Sequence, residues 1–434
     1  MNVNVRDSGF RADLRALRRQ LHAEPETGLQ LPRTQEKVIA ALERDVSGPL
    51  TIIPGRSCSS VTAVLAGEQP GPAVLLRADM DALPVCEQVD VPYRSTSADS
   101  MHACGHDLHT AMLVGAAKLL SFERSRLAGS VVFMFQPGEE GFDGAGRMID
   151  DGILSVAGEL PVAAYALHVM SATWPRGVFA TKPGTLLAAA DGICVTVRGA
   201  GGHGSAPQLA RDPVPAACEM VTALQTVVSR RIDPLSPAVV TVGQFHAGTK
   251  HTIIPETAEF EITVRAVDEG VRAVISSAVT EICQYVARAH RVEATVVCRE
   301  EFDLTVNDGR HSDQAAAVIG QLFGADRIIE LTEPIMASED FSRILNAVPG
   351  AMIFVGACPP GLDYRKAAYN HSPTAQFDDD VLGDGAVLLA ELALRAAANA
   401  IPQSAAPDLE AWRDRAPKSR CAQRRDDNAC ARWS

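Results

Sequence analysis

"PAVLLRADM", residues 72–80, is a short apolar run, opened by proline and closed by an acid, with none of the three-and-four spacing of a surface helix. Three more runs have the same form: "SSVTAVLAG" (59–67), "GSVVFMFQPG" (129–138) and "PVAAYALHV" (161–169). Helical patterns at about 106–122 and 143–152 fall between some of them. Two more helical stretches, "RADLRALRRQLHAEPE" and "RTQEKVIAALERD", precede the runs, separated by a Gly/Pro-containing turn. Strands that are apolar throughout are covered on both faces, so this alternation predicts an α/β fold with a mostly parallel central sheet. "GAMIFVGA" (350–357) predicts a further buried strand, followed by a closing helix near 380–399.

Between these parts the period changes. "DGICVTVRG" (191–199) alternates as a half-exposed strand does, and a helix is expected at roughly 212–230. Then come the strands "PAVVTVGQFH" (237–246) and "AEFEITVRAV" (258–267), a helix marked by Val271, Ile275, Val279, Ile282 and Val286, and the strand "VEATVVCRE" (292–300). This β-α-β-β-α-β order is that of a ferredoxin-like α+β motif. The expected organisation is a catalytic domain in two parts, 1–190 and 305–402, interrupted by an inserted domain at 191–304. The stretch 403–434 is polar and aperiodic and is expected to be a disordered tail.

The 434 residues carry a net charge of −13, with acids and bases interleaved, which argues against nucleic acid or an anionic membrane as the main partner. There is no run of about 18 apolar residues, and "MNVNVRDSGFRADLRALRRQ" lacks a signal peptide's apolar region. The ten cysteines are scattered without a CxxC pair and read as reduced thiols. A cytoplasmic protein is the expectation.

Chemistry-bearing residues gather where strands end. Asp79 and Asp81 stand at the end of the 72–80 run, Glu139 and Glu140 follow the 129–138 run, and His168 stands at the end of the 161–169 run. In open α/β sheets, ligands bind beyond the carboxyl ends of the strands, where these groups could converge. "MHACGHDLHT" (101–110) adds Cys104 and His106, and "YNHSP" adds His371. Thiolate, imidazole and carboxylate suit zinc or another borderline divalent ion. A hydrolytic metal site needs carboxylate ligands and, separately, a base for water, and two adjacent glutamates after a Pro-Gly turn can point to different tasks. Cys104 has a rival role as a nucleophile with His106 or His109 as base. His102 and His109 read more simply as loop and helix-surface residues, and Asp107 as local support for the metal ligands. In "VRGAGGHGSAP" (197–207), His203 sits among glycines that let backbone approach a ligand, and it could donate to a developing oxyanion.

The ordered set "RADMDALP", "MHACGHDLHTAMLVGAA", "QPGEEGFDGAGRMIDDG", "GGHGSAP", "MASEDF" and "HSPTAQFDDD" resembles the M20 metallopeptidases, most closely the amidohydrolase branch of N-acyl-amino-acid, hippurate and auxin-conjugate hydrolases. The resemblance runs from about residue 21 to 399. It implies two divalent metal ions (Zn, Mn, Ni or Co) and an inserted lid that forms a homodimer. By that match Cys104, His106, Glu140, His168 and His371 are metal ligands, Glu139 the general base, and Asp81 an acid that orients the site. His203 would stabilise the oxyanion in the partner's site, and Arg265 would hold a substrate carboxylate. Relatives often carry asparagine where Thr252 stands in "GTKHTIIP", so a substrate contact is expected to differ there. The implied reaction is metal-dependent hydrolysis of N-acyl amino acids or related small amides. A dipeptidase or aminobenzoyl-glutamate hydrolase would use the same groups. A Cys104-nucleophile amidase and a non-catalytic small-molecule binder stand as the rivals from other classes.

Overall fold

The computed structural model describes residues 8–399, so the expected tail at 403–434 lies outside the described residues. The chain divides into two compact units. The first comprises residues 8–186, 306–333 and 340–399, and the second 187–305 with 334–339. The second unit thus also takes up a short return segment, and its junctions fall within a few residues of the change in sequence period.

The first unit is built on an eight-stranded sheet in the order Leu50–Pro54, Val61–Ala66, Ala128–Gln136, Gln69–Asp79, Ala163–Met170, Gly350–Gly356, Phe179–Thr181, Ile328–Glu330. The four central strands pair in parallel, and antiparallel pairs appear toward the edges. From Ala73 to Asp79 every residue of the Gln69–Asp79 strand is buried, which is why its sequence shows no alternation. Helices His106–Phe122 and Val381–Asn399 pack on this strand and on each other, and Ser8–Ala23 packs on both helices. Leu14, Leu76, Val114, Phe133, Tyr165 and Leu388 share one core cluster.

Beside that core lies a buried ionic cluster. Arg18 Nε meets Asp107 Oδ2 at 2.8 Å, and His22 reaches Asp107 Oδ2 through Nδ1 at 2.7 Å and Glu87 Oε1 through Nε2 at 3.1 Å. An imidazole with a carboxylate at each nitrogen donates from both, so His22 is an imidazolium. Asp107 accordingly stays ionised: burial opposes its charge, but Arg18 and His22 outweigh it and hold its carboxyl below the usual range.

The second unit is a four-stranded antiparallel sheet in the order Ala238–Ala247, Thr257–Ala266, Ala189–Arg198, Glu293–Phe302, with helices Pro213–Leu224, Thr226–Arg231 and Glu269–Ala289. The single helix expected at 212–230 is interrupted at Gln225. Thr257–Ala266 alternates between core and outside along its length, as a sheet covered on one face requires. Asp212 and Asp268 cap their helices through Val214 N and Val271 N, both at 3.0 Å. Arg272 ties the long helix to the sheet through a buried pair with Asp191, at 2.8 and 2.5 Å.

Candidate metal centre

Three parallel strands deliver their chemistry at one end of the first unit's sheet. Gln69–Asp79 ends on Asp79, with Asp81 just beyond; Ala128–Gln136 leads into Glu139 and Glu140; Ala163–Met170 carries His168. A fourth contribution comes from the turn before helix His106–Phe122. Gly105 has φ +83, and a Cβ there would stand 2.3 Å from Val169 Cγ2, so only glycine fits between Cys104 and His106. His371 also takes a left-handed φ, +71, unusual for a residue with a side chain. Its N–H donates to Ala103 O at 2.9 Å, which fixes it beside Cys104.

These residues converge. Cys104 Sγ lies 3.5 Å from His168 Nε2 and 3.2 Å from His371 Nε2, and His371 Nε2 is 3.3 Å from Glu140 Oε1. Two triads emerge, Cys104–His106–His168 and Cys104–Glu140–His371, each with its ligand atoms within 4.8 Å of one another. They share one atom, Cys104 Sγ. A third group, His106–Glu139–Glu140, brings the second glutamate alongside.

The donor set fits divalent cations. His106 is buried with neither ring nitrogen in a well-formed hydrogen bond, and the buried Glu140 Oε1 faces His371 Nε2 at 3.3 Å. Buried polar atoms are rarely left so unless something not of the chain satisfies them. His168 donates from Nδ1 to Val169 O at 2.9 Å, which leaves the Nε2 lone pair facing Cys104 Sγ. Burial, with neighbouring imidazoles, pushes His168 well below its ordinary pKa and keeps that lone pair free. At His371 the hydrogen bonds that Nε2 donates toward Cys104 and Glu140 raise the imidazole to about 10. A pocket negative enough to hold a proton there attracts a metal cation, which would displace the proton on binding.

The supports are buried too. Asp81 accepts from Glu139 N at 3.1 Å and Glu140 N at 3.0 Å, one oxygen to each, so a single carboxylate sets the backbone of both glutamates. Asp79 Oδ1 meets His109 Nδ1 at 2.5 Å, while His109 Nε2 accepts from Val169 N at 2.8 Å. His109 is therefore neutral and protonated on Nδ1, with its other lone pair engaged, which leaves it neither a ligand nor a base for Cys104. His102 lies in a loop, as expected, but is buried at 1% exposed; the helix-surface reading of His109 is overturned, for it is 2% exposed on a helix, His106–Phe122, covered on nearly every side. Burial lowers His102 to about 3, so it is neutral. Asn370 was not singled out in the sequence. Its Nδ2 donates to Val169 O at 3.0 Å and Cys104 O at 3.3 Å, and its only sequence signal is its place next to His371.

His203, Thr252 and Arg265 belong to the second unit. There His203 is exposed, its Nδ1 accepting from Ser205 Oγ at 2.8 Å, and Gly204 N donates to Thr252 O at 2.8 Å, which brings His203 and Thr252 close. Arg265, on the Thr257–Ala266 strand, bonds Thr263 Oγ1 at 2.9 Å.

Comparison with known proteins matches residues 75–395 to the model of peptidase family M20/M25/M40. Thermostable carboxypeptidase 2 of Saccharolobus solfataricus is 35% identical over 87% of this chain and 94% of its own. Hippurate hydrolase of Campylobacter jejuni is 34% identical over 91% of this chain and 99% of its own. Among solved structures, a dinuclear metal-binding peptidase of the M20 family from Bacillus subtilis superposes with a TM-score of 0.77 at 28% identity, covering 91% of this chain and 100% of its own.

Proposed function

Because this chain belongs to peptidase family M20/M25/M40 and is a metal-dependent amide hydrolase, we propose that it cleaves N-acyl amino acids or closely related small amides, with Glu139 as general base. The observation that carries this reading is the pair of ligand triads joined at Cys104 Sγ, with Glu139 left beside them. Cys104, His106 and His168 would hold one ion, and Cys104, Glu140 and His371 the other. When bound, two such ions supply Lewis acidity to the acyl carbonyl and to water.

The rest belongs to the chain. Glu139, held by Asp81 through its backbone, takes a proton from the attacking water and returns it to the leaving amine. His371, half exposed at the rim, leaves its side of the site open to substrate. Relatives named as a carboxypeptidase and as a hippurate hydrolase support a substrate bearing a free carboxylate. Arg265 is assigned to that carboxylate and His203 to the oxyanion, with Thr252 shaping the contact between them. Those three roles require the second unit to act as a lid. A homodimer through that unit is also assigned: Ala238–Ala247 is an edge strand with Val239 and Phe245 exposed. No helix among the described residues is long and apolar enough to cross a membrane.

The test is a hydrolysis screen of N-acetyl, N-benzoyl and indole-acyl amino acids and dipeptides with Mn²⁺, Zn²⁺ or Ni²⁺. Activity is expected to be lost to EDTA and restored by metal, and Glu139→Gln is expected to retain metal while losing turnover. Near-normal turnover in Glu139→Gln removes the residue from the mechanism, and activity that survives chelation favours a thiol nucleophile.

A further inference from the structure

"MASEDF" (336–341) marks the chain without a task in the chemistry above. Its Asp340 is 1% exposed; its side chain accepts from buried donors, and its carboxylate lies within 4.8 Å of that of Glu139. Arg77 Nη2 donates to Oδ1 at 3.0 Å, Gln136 Nε2 reaches Oδ1 at 2.7 Å and Oδ2 at 2.8 Å, and Ala145 N donates to Oδ2 at 3.0 Å. Gln136 is the last residue of its strand, and Ala145 lies in the first turn of the Gly144–Asp150 helix. Asp340 therefore grips both ends of the segment that carries Glu139 and Glu140, while Asp81 holds the middle. That segment needs holding, because Gly138 and Gly141 adopt φ +73 and +87 and give its backbone little intrinsic preference.

The grip extends to the other side of the site. Arg77 is 1% exposed and donates from Nε to Gln136 Oε1 at 2.9 Å and from Nη1 to Asp79 Oδ2 at 2.7 Å. The same Asp79 fixes His109 and faces His106 Nε2 at 3.6 Å. One buried guanidinium thus serves two carboxylates, one beside the imidazoles and one beneath the glutamate loop.

We propose that Asp340 is a positioning residue for amide hydrolysis: by clamping Gln136 and Ala145, and through Arg77, it sets the loop that presents Glu139 and Glu140. The inference rests on the roles assigned to those glutamates. A carboxylate is needed because it only accepts. An amide turned one way sets its NH₂ against Ala145 N–H, and turned the other way against Arg77.

The test compares Asp340→Asn, Gln136→Glu and the double variant, each as the full chain with its melting temperature recorded. In the double variant the introduced amide can donate to the introduced carboxylate, which also accepts from Arg77 Nε, and net charge is unchanged. Each single variant is expected to lose ten- to hundredfold in kcat at saturating metal, with KM within about threefold. Metal affinity, read by titrating the apo-protein with Mn²⁺, should weaken in step, since Glu140 shares the loop. The double variant should recover at least part of both losses. If Asp340→Asn does not fold, Gln136→Met cuts one clamp without adding a charge and should show the same losses in smaller measure. A folded Asp340→Asn protein with wild-type kcat and metal affinity overturns the proposal, as does a double variant no better than the singles. If Glu139→Gln is active, the reading of the site fails; if it is inactive while Asp340→Asn is untouched, only this inference fails.

Discussion

Replacing Asp81 by asparagine probes the most economical contact in the centre. The carboxylate is 1% exposed and gives one oxygen to Glu139 N at 3.1 Å and the other to Glu140 N at 3.0 Å. Asparagine keeps one acceptor and turns an NH₂ toward the other backbone N–H. One hydrogen bond to a charged group is lost, about 1.5–3 kcal/mol. At about 1.4 kcal/mol per decade, that is roughly ten- to 150-fold. Because the lost contact anchors base and ligand together, the penalty divides between metal affinity and kcat, and the product of the two losses is the predicted quantity. KM should hardly move, as Asp81 faces the glutamate backbone and, at 3.5 Å, His106 Nδ1, all assigned to the metal or the base and none to substrate. Calorimetric titration of the apo-protein with Mn²⁺ gives the first factor, and steady-state hydrolysis at saturating metal gives the second. A folded Asp81→Asn protein whose combined loss is under threefold would refute the claim that this carboxylate sets the loop.

Gly105→Ala should be costly for a different reason. Its φ of +83 and a Cβ 2.3 Å from Val169 Cγ2 combine left-handed strain with overpacking, about 2–6 kcal/mol together; a urea midpoint equal to wild type would contradict the packing. His22 makes stability depend on pH. Burial opposes its charge, yet Asp107 and Glu87 outweigh it and raise its pKa above 6.5. Its contribution is therefore full below about pH 6.5 and is lost as pH rises through the folded-state value, by at most about 1.4 kcal/mol per unit. Urea titrations of wild type and His22→Gln should show the gap between them narrowing from pH 6 to pH 10, and a constant gap would exclude the imidazolium.

The strands that carry the centre were legible because burial on both faces leaves an apolar run, as from Val131 to Phe135, and because the acids stand at strand ends. Helix His106–Phe122 was legible through its helical pattern at about 106–122. His109 was not. A helix covered on every side has no polar face to mark which residues point inward, so an inward histidine looks like an outward one. Asp340 and Asn370 were hidden for another reason: their partners lie some 200 residues away along the chain, and only the sheet order brings them together. The short strands Phe179–Thr181 and Ile328–Glu330 have too few residues to show any period.

The sheet order also has a consequence for a chain still being synthesised. Ala163–Met170 is central in the finished sheet, yet its parallel neighbour Gly350–Gly356 is encoded about 180 residues later, roughly 10–40 s at ribosomal rates. Throughout that interval an apolar strand edge stands bare, and residues 187–305 are completed before it is covered. His371, the last of the assigned ligands, arrives later still. The catalytic unit cannot close until nearly all of the described chain has left the ribosome, so its yield in the cell should depend on what shields that edge meanwhile.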